Sequence, residues 1–244
     1  MIKYFLIGLV TLFSLVGGQN IDALINEAIT LYETRHLNAA NLEMSRDILQ
    51  SVINKESKNL QANYELSKVF YLLGDRAQTK NEKLALYHEG MTFGKNAIKI
   101  DNNSAWAHFW YVVNLGRSGQ TKGVLNSLSS VPEIKKETDK VLKIDPKHTG
   151  ALDVKAMLYY ELPGLLGGNL NKSIEALNRA IEMDSNYGLF YVDMGKVYIK
   201  KKDYEKARWY LNKVLTIQKP TFEADYVLDD QLDALKLLKE IEIK

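Results

Sequence analysis

The strongest constraint on this chain is a helical hairpin that recurs along most of its length. Between Leu189 and Ile217, Phe190, Met194, Val197 and Tyr198 form one apolar face, Lys200-Lys201-Lys202-Asp203 makes a polar turn, and Ala207, Tyr210, Leu211, Val214 and Ile217 form a second face. A 3.6-residue period on both sides of a short turn describes two amphipathic helices packed antiparallel. Gly195 and Ala207 are small where the two helices must approach closely. Equivalent first helices begin at Ala62, Ala107, Ala151 and Phe190, spaced 45, 44 and 39 residues apart. Second helices end near Ala97, Val141, Ala180 and Val214, and the last interval is 34 residues. One unit is therefore repeated, with insertions of 11, 10 and 5 residues at Arg76 to Lys83, Thr121 to Glu137 and Pro163 to Leu166. No Asn-Gly or Asp-Gly dipeptide marks a β-hairpin anywhere.

Composition narrows the chemistry. None of the 244 residues is Cys, which excludes disulfides, thiolate zinc sites, iron–sulfur clusters, lipidated-Cys anchors and Cys nucleophiles together. With 32 Lys+Arg against 30 Asp+Glu, the net charge of +2 is too near neutral for a nucleic-acid footprint, and no long basic block compensates. His36, His88, His108 and His148 are widely separated and no two have the i, i+4 spacing of a metal-binding helix, so they read as surface or packing residues. The glycine-rich run Gly164 to Ser173 lacks the adjacent Gly-Lys pair of a phosphate loop and reads as a turn before a helix. Glu161 and Asp153 are the kind of carboxylate pair available for acid–base work, but on a helical array such pairs are solvated. No catalytic residue, metal or cofactor is assigned.

At the N-terminus, Lys3 precedes an unbroken apolar run of 13 residues, Tyr4 to Val16, followed by Gly17-Gly18-Gln19. It reads as a secretory signal over residues 1–18, cleaved before Gln19, or as an uncleaved N-terminal anchor; a spanning helix needs about 20 residues. A buried core helix is the weaker alternative, since the run has no polar face. The expected location is outside the cytoplasm, periplasmic or secreted. Contact with a membrane is expected only through this segment.

The segment Gly195 to Ile217 resembles a tetratricopeptide hairpin, with Gly195, Tyr198, Ala207, Leu211 and Val214 at the positions where that family keeps small and apolar residues. Leu66, Phe70 and Gly74, and Tyr111, Leu115 and Gly119, carry the same likeness in two earlier repeats. The order of insertions resembles two groups within it, the regulators of microtubule dynamics and the T-component of tripartite ATP-independent transporters. That likeness rests on Ala105-Trp106-Ala107, Gly116-Arg117-Ser118-Gly119, the inserted helix at Ile134-Lys135 before Lys143-Ile144-Asp145-Pro146, and Leu162-Pro163-Gly164 before Gly167-Gly168-Asn169. It covers roughly residues 60 to 240. An exported chain departs from the cytoplasmic and mitochondrial setting of the first group, so that biology is not carried over.

The resemblance implies an all-α, right-handed helical-hairpin solenoid over residues 19–244, with repeats at about 21–59, 60–103, 104–148, 149–186 and 187–220 and a capping helix over 221–244. Stacked first helices then line a concave groove. Matching positions place Tyr64, Lys68 and Tyr71 there, with Trp106, Phe109, Val113 and Arg117, then Asp153, Met157 and Tyr160, then Val192, Lys196 and Ile199. The groove candidates are Tyr64, Tyr71, Trp106, Phe109, Arg117, Met157 and Tyr160, because rings with dispersed charges suit an extended peptide or an amphipathic small molecule. At least half of Trp106, Phe109, Trp110 and Tyr111 must nonetheless be core, since one helix cannot turn all four to one face. The expected function is a non-catalytic scaffold for a protein or peptide partner. The alternative is a transporter-accessory protein holding a small apolar ligand in a pocket closed by the insertions around Leu125 to Lys136 and Pro163 to Leu166, with an enzyme a distant third reading.

Overall fold

The computed structural model describes residues 20–242, and among them every regular element is helical. Five antiparallel hairpins follow one another: α1 (Ile21–Glu33) with α2 (Asn41–Lys55), α3 (Leu60–Arg76) with α4 (Lys80–Ile100), α5 (Ala105–Lys122) with α6 (Val124–Ile144), α7 (Thr149–Glu161) with α8 (Leu170–Met183), and α9 (Gly188–Lys200) with α10 (Tyr204–Val214). A broken helix ends the array as α11 (Glu223–Asp225), a π-helical turn (Tyr226–Asp230) and α12 (Gln231–Glu240). None of the described helices is long and apolar enough to cross a membrane. The N-terminal apolar run lies outside the described residues.

Local chemistry starts most of these helices where the sequence places them. Asn59, Ser104, Asn169 and Asp203 each accept from a backbone N–H of the first turn, and Thr79 and Glu82 form a reciprocal capping box. The N-cap of α7 is unusual: His148 accepts the Ala151 amide on Nδ1 at 3.2 Å. Burial holds that imidazole below its ordinary pKa, which keeps it neutral and able to accept.

The positions that define the repeat are the ones the fold removes from water. Ala62, Ala107, Ala151 and Phe190 at the starts of first helices, and Ala97, Val141, Ala180 and Val214 at the ends of second helices, are all at most 1% exposed. Small residues recur because neighbouring helices touch there. At Gly195 an added Cβ would lie 2.6 Å from Leu211 Cδ2. Gly195→Val is therefore expected to cost about 2 kcal/mol through overpacking, read as a lower denaturation midpoint at unchanged helical content.

Two of the three insertions form neither a separate loop nor a separate helix. Arg76 to Lys83 and Thr121 to Glu137 are absorbed into longer hairpins, so that α4 and α6 each run 21 residues. The expected short helix at Ile134-Lys135 is the middle of a continuous α6, which carries Pro132 inside it. Gly123 alone connects α5 to α6, at φ 114°, a conformation open to glycine. Only Pro163 to Leu166 stays a short excursion, a 3-10 turn.

The final helix does more than cap. Ala224, Tyr226, Asp230, Ala234 and Ile241 are buried, and Tyr226 Oη donates to the Val214 carbonyl at 3.0 Å. The preceding residue, Asp225, pairs with Arg35, which lies 190 residues earlier, just beyond the end of the first helix. The solenoid thus curls through enough of a turn for its two ends to meet.

Candidate binding face

The concave face is built by the first helix of each hairpin. On α3, Tyr64, Lys68, Tyr71 and Asp75 recur at helical spacing. Arg117 of α5 reaches back to this stripe, its Nη2 donating to Asp75 Oδ2 at 2.9 Å and to Tyr71 Oη at 3.4 Å. Tyr87 Oη donates to the other oxygen of Asp75 at 2.7 Å. Burial pushes the Tyr64 and Tyr71 hydroxyls up to about 12, so both stay neutral. The guanidinium of Arg117 stays charged, donating to the Tyr71 hydroxyl and paired with the Asp75 carboxylate.

Across the face, α7 and α9 contribute a different cluster. Lys196 Nζ donates to Asp193 Oδ1 at 2.7 Å, while Asp153 Oδ1 is buried without a hydrogen-bond partner. Burial raises Asp153 well above the ordinary carboxylate range, and the neighbouring Asp193 adds to the shift by charge and by hydrogen bonding. A protonated Asp153 can donate to Asp193, the arrangement expected when two carboxylates share a site. Asp153 therefore pairs with a residue of the next hairpin, and not with Glu161 of its own helix.

The terminal helix brings a third group. Arg35 is buried, donates to the Tyr32 carbonyl at 2.9 Å and lies over the Tyr32 ring. Its carboxylate partner, Asp225, also accepts from Tyr187 Oη at 3.4 Å. Next to this pair, Asp230 is 3% exposed with Oδ2 unpartnered. Burial raises its pKa to about 7, with Asp225 and Asp229 adding to the effect.

Charge matching across the face leaves a remainder. Four cations are paired: Arg35 with Asp225, Lys68 with Glu65, Arg117 with Asp75, and Lys196 with Asp193. Asp153, Asp229 and Asp230 form no close ion pair among the described residues, although Lys196 and Arg117 act on Asp153 and Arg76 and Arg35 on Asp229 from further away, and the pKa of each is raised, by burial first. Carboxylates outnumber cations, and tyrosine hydroxyls fill much of the space between.

Of the expected groove residues, Tyr64, Tyr71, Met157 and Tyr160 are half-buried and Arg117 is exposed. Phe109 is a correction. It is 9% exposed and packs on His148 at 4.6 Å and Trp110 at 4.8 Å, closing the junction between the third and fourth hairpins. Its neighbour Trp110 is the ring that meets Tyr71, at 5.9 Å. Trp106 is 48% exposed and tilts over His148 at the entry to α7. Val192 is also core, at 0% exposed. Asp193, Tyr187, Asp225 and Asp230 were not among the sequence candidates. The contact between the two ends of the solenoid is made by Arg35 and Asp225.

Comparison with known proteins agrees with this architecture. Residues 24–166 match the family model described as regulator of microtubule dynamics protein 1-3, and residues 190–221 match a tetratricopeptide repeat model. Regulator of microtubule dynamics protein 1 of Bos taurus is 23% identical over 202 residues, covering 76% of this chain and 63% of that protein. The Mus musculus protein is 23% identical over 176 residues, covering 65% and 58%. The chain thus spans less than two thirds of the length of these relatives. Among solved structures, a thermophilic tetratricopeptide repeat protein of Thermus thermophilus superposes with a TM-score of 0.68 at 10% identity, over 90% of this chain and all of that one. PilF of Pseudomonas aeruginosa gives 0.53 at 13% identity over 91% and 92%. These two likenesses concern the fold alone. The family match, by contrast, runs through the first three hairpins and α7 over more than half of the sequence, and the chain belongs to the regulator of microtubule dynamics protein 1-3 family.

Proposed function

We propose that this protein is a non-catalytic tetratricopeptide scaffold whose concave face takes an extended, basic segment of a protein partner. The observation behind this reading is the pair of carboxylates without an ion-pair partner, Asp229 and Asp230, beside Asp225 and Tyr187. A partner's Lys or Arg side chains supply the cations that this face lacks, and tyrosine rings give contact area at low entropic cost. The lining of carboxylates and hydroxyls does not favour a small apolar ligand. Export or N-terminal anchoring is part of the same proposal and rests on the apolar run Tyr4 to Val16. The N-terminal residue of the chain purified from its native cells tests it, since cleavage before Gln19 and an intact Met1 give different masses.

Fluorescence titration with Lys/Arg-rich and Asp/Glu-rich peptides of equal length tests the binding mode. Saturable binding of the basic set is expected, weakened about tenfold by Asp229→Ala, the exposed member of the carboxylate pair, at unchanged helical content. Equal binding of both sets, or full binding by the variant, rejects it. Because Asp230 titrates near 7, a bound cation favours its deprotonated form. Affinity for the basic peptide should therefore rise between pH 6 and pH 8.

A further inference from the structure

The most exposed large apolar side chain among the described residues is Leu165, at 101%, in the 3-10 turn between α7 and α8. Leu166 beside it is 49% exposed. Four lysines from three other elements converge on this turn. Lys135 of α6 approaches the Leu166 carbonyl at 3.5 Å, and Lys172 of α8 lies 5.7 Å from the centre of the Tyr159 ring. Lys200 of α9 donates to the Tyr160 carbonyl and sits 4.3 Å from that ring's centre, while the following Lys201 donates to Asn171 Oδ1 at 3.0 Å.

Every one of these ammonium groups is held by a neutral partner: a carbonyl, an amide or a ring. None of the four is in an ion pair with a carboxylate among the described residues. Elsewhere on the surface lysines do find carboxylates, as Lys155 does with Asp139 and Lys206 with Asp203. The turn thus presents a water-exposed leucine among four lysines that make no close ion pair, with Glu161 the carboxylate at its foot.

We propose that this turn docks on an anionic lipid bilayer, Leu165 entering the interface while Lys135, Lys172, Lys200 and Lys201 face the phosphate headgroups. An apolar tip gains by leaving water, and a short collar of lysines near an acidic surface adds an attraction that salt screens. The concave face and its occupant play no part in this contact, so either can fail without the other.

The absence of cysteine makes the test direct. In the full chain, Leu165→Cys gives a single thiol for an environment-sensitive fluorophore. Glu182→Cys, exposed near the far end of α8, gives the control position. With vesicles of phosphatidylcholine and phosphatidylglycerol, the probe at 165 is expected to brighten and shift to the blue, and the probe at 182 to stay unchanged. Pure phosphatidylcholine vesicles should give little signal, and Lys172→Glu with Lys201→Glu should weaken the response about tenfold. Vesicle flotation with a silent probe at 165 overturns the proposal, because the N-terminal segment alone then carries the protein. An equal response to neutral vesicles overturns it too. A shift that grows with protein concentration without vesicles overturns it by assigning the turn to contact between copies.

Discussion

Replacing Arg35 by Ala is expected to destabilise the protein by about 3 kcal/mol and to loosen the closed superhelix. The guanidinium is 2% exposed and bridges two distant parts of the chain, the end of α1 and the start of the terminal helix. Without it, Asp225 stands beside Asp229 and Asp230 with no counter-charge, and the Tyr32 carbonyl loses its donor. Breaking one partner of a buried pair is costly mainly because the other charge stays behind. Denaturant titration measures the loss, and small-angle scattering should show a larger radius of gyration before global unfolding. Arg35→Lys keeps the charge without the planar fork, so it should recover only part of the stability. An unchanged midpoint together with an unchanged radius would mean that the two ends meet without holding each other.

How much of this was legible beforehand depends on the range of the interaction. The hairpins were legible because their determinants are local: Phe190, Met194 and Val197 share a face by spacing alone, and each proves to be 0% exposed. Small residues such as Ala97 and Ala180 marked helix contacts for the same reason. The choice between Phe109 and Trp110 was not legible, because adjacent helical residues differ by about 100° of rotation. The deciding neighbours are remote in sequence, since His148 caps the first helix of the next hairpin and Tyr71 lies in the hairpin before. Nor did any period reveal that Arg35 meets Asp225. That contact depends on the summed rotation between successive hairpins, a quantity to which every interface contributes. Nor does any local pattern in the last helix announce that Asp225 and Asp230 are drawn inward, because the residues they meet lie on other hairpins.

Asp230→Asn is expected to have the opposite sign to Arg35→Ala, and an effect that depends on pH. An ordinary Asp titrates near 3.8, and the buried Asp230 near 7. The folded protein therefore binds this proton more tightly than the unfolded chain does. Stability from this group is fully present below about pH 4 and is lost as pH rises towards 7, beyond which the difference is constant. The shift corresponds to an upper bound of about 4 kcal/mol, and relaxation around the unpartnered Oδ2 reduces it, so about 2 kcal/mol is the expected gain for the variant at pH 8. Measuring wild type and variant together at each pH isolates residue 230 from all other titrations. The two should converge at pH 4 and separate by pH 8, with the variant the more stable. A constant difference would assign the effect to packing against Gly188, where Asp230 Oδ2 would lie 2.6 Å from an added Cβ. The same proton links stability to binding, since a basic peptide that draws it off should bind the variant less tightly even as the variant resists unfolding. A gain in stability joined to a loss of affinity is the pattern expected of a carboxylate kept without its cation.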